Sequence, residues 1–147
     1  MQKARNYHSI ALLLPDGRVL AGGGGLCACA GDHPDVEILT PPYLLAPDGT
    51  PAARPTLQTA PAAATWGAKV AVTTDRPVRQ FALVRMASAT HSVNTDQRRI
   101  PVAFTGDAGR YTLAIPTDRG ALLPGNYMLF ALDAQGVPSV ARTVNIR

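Results

Sequence analysis

Cysteine is almost absent: the 147 residues hold two, Cys27 and Cys29, with a single residue between them. That spacing is not the two-residue gap of common redox and zinc motifs, and it leaves open a strained disulfide or two small side chains in a loop. No apolar run approaches the roughly 18 residues of a membrane-spanning helix. Stretches rich in Glu, Lys and Gln are missing too, and the nearest helix candidate, residues 60–64, contains Pro61 and is too short to stand without packing. Aromatic residues are few, with one Trp, so no sugar-stacking platform is apparent. Clustered charge is also lacking. The net charge of +4 comes from arginines spread along the chain, with Arg98-Arg99 the one adjacent pair, which argues against a nucleic-acid surface. The opening Met-Gln-Lys-Ala-Arg lacks the charged-then-apolar organisation of a signal peptide, as expected of an artificial or truncated start.

What is present is a β composition, with 13 prolines and 13 glycines punctuating short apolar runs. Residues 10–14 and 18–21 flank Pro15-Asp16-Gly17 and read as a hairpin, and residues 36–39 add a third strand. Three short strands do not make a core. The run Gly22-Gly-Gly-Gly25 among them predicts close approach to another backbone. Two prolines after Thr40 stop strand pairing, which places a boundary near residue 40. Beyond it, residues 69–74, 80–86, 99–104, 111–115, 127–132 and 141–146 read as strands separated by turn signals, the spacing of an antiparallel two-sheet domain. Tyr43, Tyr111 and Tyr127 fall in strand or linker contexts and read as packing or edge residues.

Two places carry possible chemistry. Tyr7 and His8, just before the first strand, offer a phenol oxygen and an imidazole nitrogen, donors suited to Cu(II) or Zn(II) and unsuited to calcium. Neighbours on a regular strand point to opposite faces, so both could bind one ion only at a strand end or an irregularity. His91 lies in a polar loop of residues 87–98. Long ordered loops often carry function, yet Ser, Thr, Asn94 and Asp96 can satisfy turn backbone locally and leave His91 merely solvated. His33 reads as a surface residue.

The segments Arg5-Asn-Tyr7-His8-Ser9, Leu-Leu-Leu-Pro-Asp-Gly-Arg-Val and Gly-Gly-Gly-Gly, then Thr90-His91-Ser-Val-Asn-Thr-Asp-Gln-Arg-Arg99, Pro124-Gly-Asn-Tyr-Met-Leu-Phe130 and Gly136-Val-Pro-Ser139, occur in this order. Together they resemble the C-terminal part of the galactose oxidase and glyoxal oxidase family of copper radical oxidases. The resemblance implies an all-β fold: residues 1–40 forming part of the last blade of a β-propeller, and residues 41–147 an immunoglobulin-like early-set β-sandwich. It implies copper as the cofactor and Tyr7, His8 and His91 as its ligands, with Tyr7 an axial phenol and candidate catalytic base. The cysteines depart from the galactose oxidase pattern, which has a two-residue gap at this place.

The resemblance also implies what is not in this chain. The family's radical sits on a tyrosine cross-linked to a cysteine in upstream blades, which also hold most of the substrate pocket. A single copper ion cannot carry out the two-electron oxidation of an alcohol in the family's manner without that side chain. The expectation is a C-terminal portion, inactive alone, of an extracellular enzyme that oxidises primary alcohols or aldehydes, carbohydrates included, with oxygen and releases hydrogen peroxide. Its partner would be the upstream propeller or a separately encoded one, with neither nucleic acid nor membrane involved. An accessory β-sandwich module for binding or structure, carbohydrate-associated or not, is the alternative.

Overall fold

The computed structural model describes residues 1–25 and 31–147. Cys27 and Cys29, and with them the question of a disulfide, lie outside the described residues. The fold is all-β, with two sheets and, among the described residues, no α-helix. Strands β1 (Ser9–Leu13), β2 (Val19–Gly23) and β3 (Val36–Leu39) form a three-stranded antiparallel sheet in sequence order. The β1–β2 turn closes through Gly17 N to Leu14 O at 2.9 Å and Leu14 N to Arg18 O at 2.8 Å. Gly17 takes φ +82° there, a conformation that penalises a side chain.

The second sheet contains β4 (Leu57–Thr59), β5 (Ala63–Ala64), β6 (Lys69–Thr74), β7 (Gln80–Arg85), β8 (Arg99–Asp107), β9 (Arg110–Ala114), β10 (Gly125–Leu132) and β11 (Arg142–Ile146). Its spatial order is β4-β6-β9-β8-β7-β10-β11-β5. Strand β8 makes it curl. Residues Arg99 to Val102 pair with β7, whereas Ala103 to Asp107 pair with β9, so one strand serves both layers of the sandwich. Pro101 falls in the first half, where β8 has β7 alone as a neighbour, the edge position in which a missing N–H is tolerated.

The core lies between the layers, where Leu57, Val72, Leu113, Phe81, Leu83, Leu129 and Val144 are all but inaccessible. Phe81, Phe104 and Tyr111 meet edge to face with centroids 5.1 to 5.5 Å apart. Tyr111 and Tyr127 are core residues as expected, and their hydroxyls are used: Tyr111 Oη accepts from Val78 N at 2.9 Å, and Tyr127 Oη donates to Leu123 O at 2.8 Å. Tyr43 is partly exposed and donates to Gly17 O at 2.6 Å, fastening a 3₁₀ turn (Pro42–Leu44) to the hairpin.

Strands β7 and β10 are buried along nearly their whole length. Phe81, Leu83, Tyr127 and Leu129 face the sandwich interior, while Val84, Met128 and Phe130 form a second cluster on the outer face, packed by Leu13 of β1. The small sheet therefore covers one face of the large one. The covering is pinned by Ala141 N donating to Pro15 O at 2.8 Å.

Several elements differ from the sequence expectation. Strands β4 and β5, at three and two residues, escape detection, and residues 60–64 hold β5, parallel to β11. Strand β8 runs past Phe104 to Asp107, because Ala108 and Gly109, both at positive φ, provide a tight turn into β9.

Ser139 closes the loop between β10 and β11. It is fully buried, accepts from Ala131 N through Oγ at 3.0 Å, and donates its own amide to Ala131 O at 2.7 Å. Arg54 grips the same loop, donating to Pro138 O and Ser139 O at 2.8 and 2.7 Å. Ser139→Ala should leave the Ala131 amide buried and unpaired and destabilise the chain by about 1–3 kcal/mol. Urea unfolding checks this: the midpoint should fall at unchanged m-value.

Candidate metal centre

Tyr7 and His8 sit in a turn ahead of β1, closed by Ser9 N donating to Asn6 O at 3.0 Å. His8 takes φ +63°, so the two residues are released from strand alternation. The irregularity that a shared ion would require is thus present. The glycine run explains how it is held. Gly25 N donates to Tyr7 O at 3.1 Å, and a Cβ on Gly23 would come within 2.8 Å of His8 O. The expected close backbone approach is that of β2's end to this turn.

Arg5 anchors the approach to the turn. Its side chain is 4% exposed, and its guanidinium reaches Gly23 O at 2.9 Å, Asp35 O at 3.1 Å, the Asp35 carboxylate at 3.3 Å and Glu37 Oε2 at 3.3 Å. Gln2 N adds a 2.7 Å bond to Glu37 Oε1. That backbone bond, reinforced by the Arg5 guanidinium, holds the Glu37 carboxyl below its ordinary range.

His91 occupies the first central position of a two-residue turn between Thr90 and Val93, which exchange both backbone bonds, at 3.0 and 2.9 Å. His91 and Ser92 take φ +53° and +62°, the signature of a type I′ turn usually given to Asn-Gly. Neither residue is glycine, so the turn stores strain of the order of 1–2 kcal/mol per residue. Part of the expected local wiring is present, with Asn94 Oδ1 accepting from Gln97 N at 3.1 Å. Asp96 does something else. It pairs with Arg85 Nε at 2.9 Å, and Arg85 also donates to Pro124 O at 2.8 Å, fixing the loop to the end of β7.

The three rings converge. Centroids lie 4.0 Å apart for Tyr7 and His8, 4.8 Å for His8 and His91, and 5.5 Å for Tyr7 and His91. Tyr7 is 51% exposed and His91 is exposed, so the cluster opens to one side. His8 is half-buried, and its Nδ1 is buried without a hydrogen-bond partner. His91 Nδ1 lies 2.8 Å from Thr90 Oγ1, a contact that orients the ring. An unpartnered buried imidazole nitrogen, a second oriented imidazole and a phenol make a donor set that suits Cu(II). Among the described residues no group of three His, Cys, Asp or Glu side chains could hold a metal; this cluster depends on its phenol. His33 stands apart in role, half-buried, with its amide donating to Gly24 O at 2.8 Å.

Sequence reasoning missed Ser9 and Ser92, whose hydroxyls lie 3.2 Å apart between the two halves of the cluster. The signal was available: both histidines are followed by serine, in Tyr-His-Ser and Thr-His-Ser.

Residues 54–146 match the family model described as the galactose oxidase-like early set domain, and the chain belongs to that family. It is 47% identical to galactose oxidase of Gibberella zeae over 97% of its length, covering 21% of that protein. It is 36% identical to the aldehyde oxidase GLOX of Vitis pseudoreticulata, over 97% of this chain and 30% of that one. Among solved structures, a fungal alcohol oxidase of the AA5 family in complex with copper is 42% identical and superimposes with a TM-score of 0.91, covering 99% of this chain and 32% of that one. The chain thus spans a fifth to a third of the length of these relatives.

The Arg5 clamp should respond to acid. A carboxylate with a depressed pKa contributes stability that is complete above the unfolded value and is lost as pH falls through the folded one. For Glu37 this loss begins below about pH 4.5 and continues below it. In NMR spectra, amide signals of residues 2–8 should move toward unfolded positions over that range while sandwich amides hold, and Glu37→Ala should show the loosened pattern already at neutral pH.

Proposed function

We propose that this chain is the C-terminal part of a copper radical oxidase of the galactose oxidase type, and that Tyr7, His8 and His91 are its contribution to the metal site. The observation that carries this is the convergence of the three rings from segments more than eighty residues apart, with both histidines in left-handed conformations. Strain at a cluster of potential ligands is found where the surrounding structure imposes it for function. Copper, when bound, supplies one-electron redox chemistry and a coordination position for a substrate oxygen. The chain's own residues do the rest that falls to them. His8 and His91 offer imidazole nitrogens, Thr90 orients the His91 ring, and Tyr7, exposed on the open side, would hold the metal as phenolate and in that form could accept the proton of a substrate hydroxyl.

On this reading residues 1–40 belong to an incomplete propeller blade and residues 41–147 to the early-set sandwich. Val36 and Ile38, 61% and 49% exposed on one face of β3, support an upstream chain as the missing cover. The complete enzyme would be extracellular and would oxidise primary alcohols or aldehydes with oxygen, releasing hydrogen peroxide. A carbohydrate-binding module gains no support from Trp66: its indole N–H is committed to Leu122 O at 2.7 Å and its ring is covered by Arg119 at 4.7 Å.

Copper titration of the chain by calorimetry, with Cu(II) paramagnetic resonance, tests the reading. One equivalent should bind with nitrogen ligation, and His8→Ala or His91→Ala should weaken binding by at least about tenfold. Tyr7→Phe should retain the nitrogen couplings and alter the axial parameters. The copper-loaded chain should form no peroxide from galactose or glyoxal, since the radical side chain lies upstream. Weak binding insensitive to all three variants would refute the ligand assignment.

A further inference from the structure

The cluster is assembled from two pieces that do not share a strand: a turn before β1 and a loop after β7. Among the described residues, the hydrogen bonds between these pieces run through one side chain. Ser92 Oγ donates to Asn6 O at 3.0 Å and lies 3.2 Å from Ser9 Oγ. A serine hydroxyl has one proton. With that proton given to Asn6, the serine pair is made by Ser9 donating to Ser92. Asn6 O also accepts from Ser9 N, so the Ser92 hydroxyl ties into the bond that closes the Tyr7-His8 turn.

We propose that Ser92 is a positioning residue: its hydroxyl latches the His91 turn to the Tyr7-His8 turn and thereby sets the distance between the two imidazoles. The inference deepens the metal-site reading and rests on it only for what the positioned rings would hold. The location fits a latch. Ser92 follows His91 directly, both in the left-handed region, so a bond at the Ser92 hydroxyl restrains the turn that carries the ring. Ser9 follows His8 in the same way and is buried, so without Ser92 its hydroxyl loses its partner. Ser92 itself is exposed, so its removal should not unfold the domain.

Two substitutions separate the hydroxyl from the backbone. Ser92→Ala removes the latch and keeps the strained turn. Ser92→Gly removes the latch and relieves the left-handed strain, so a role confined to turn geometry predicts improvement. The latch predicts loss in both. In the metal-free chain, cross-relaxation between His8 and His91 ring protons should be present and should vanish in both variants, while the thermal midpoint stays within a few degrees. Copper affinity should fall about tenfold in each. Cross-relaxation that persists in either variant, or that is missing in the wild type, would overturn the latch. A wild type that shows the ring contact but binds no copper would defeat the metal reading and leave Ser92's role intact.

Discussion

Strands β7 and β10 are apolar on both faces, and the rest of the molecule is arranged by the need to cover both. The inner face is closed by the sandwich. The outer residues Val84, Met128 and Phe130 need a second cover, and β1 supplies it with Leu13. Each side chain of this size removed from water contributes roughly 1.5–3 kcal/mol, enough to dock a small sheet but not to orient it, because apolar contact is non-directional. Orientation comes from polar fastenings at the hairpin turn, where Ala141 N meets Pro15 O and Tyr43 Oη meets Gly17 O. With that end fixed and β1 lying on β7 and β10, the start of β1 falls beside the loop that leaves β7. Core packing elsewhere thus brings Tyr7 and His8 within reach of His91.

The site itself is held against local preference. His8, His91 and Ser92 occupy backbone conformations that favour glycine or asparagine, and each is over-determined by neighbours. Gly25 N and Ser9 N hold the first turn, the paired bonds of Thr90 and Val93 hold the second, and Arg85 with Asp96 fixes the second loop to its strand. Hydrogen bonding to Tyr127, and then to Asp96, raises the Arg85 pKa further, so that anchor stays charged throughout the physiological range. Rigid supports around these strained side chains reduce the ordering that any ligand binding between them would otherwise have to supply.

Most strands were legible in the sequence because their residues obey one strong pattern. The continuous runs of β7 and β10 mark burial on two faces, and Lys69 to Thr74 marks an ordinary half-buried strand. What was hidden depends on tertiary pairing. Ala63 and Ala64 form a strand because Asn145 and Ile146 lie beside them, and nothing in an alanine-rich stretch announces that. The switching of β8 was hidden too, since Val102 and Ala103 look alike in sequence but face different partners. At the site, the residue types were readable and their geometry was not. Tyr7 beside His8 looked incompatible with one ion on a regular strand, and only the turn at His8 removes the conflict.

The same dependence bears on how the cluster forms. Tyr7 and His8 are held by β2 and by Arg5, whose partners lie on β2 and on the segment of Asp35 and Glu37, whereas His91 is held by β7. The two halves therefore belong to different sheets, and the docking of Leu13 on the outer face brings them within reach of each other. Loosening that apolar contact would separate the rings without touching any of them. Conversely, a ligand binding both histidines would stabilise the docked hairpin, because binding to the assembled state shifts the equilibrium toward it. Docking of the hairpin and convergence of the three rings are thus coupled, with the hydrophobic face of β7 and β10 on one side of the coupling and the imidazoles on the other.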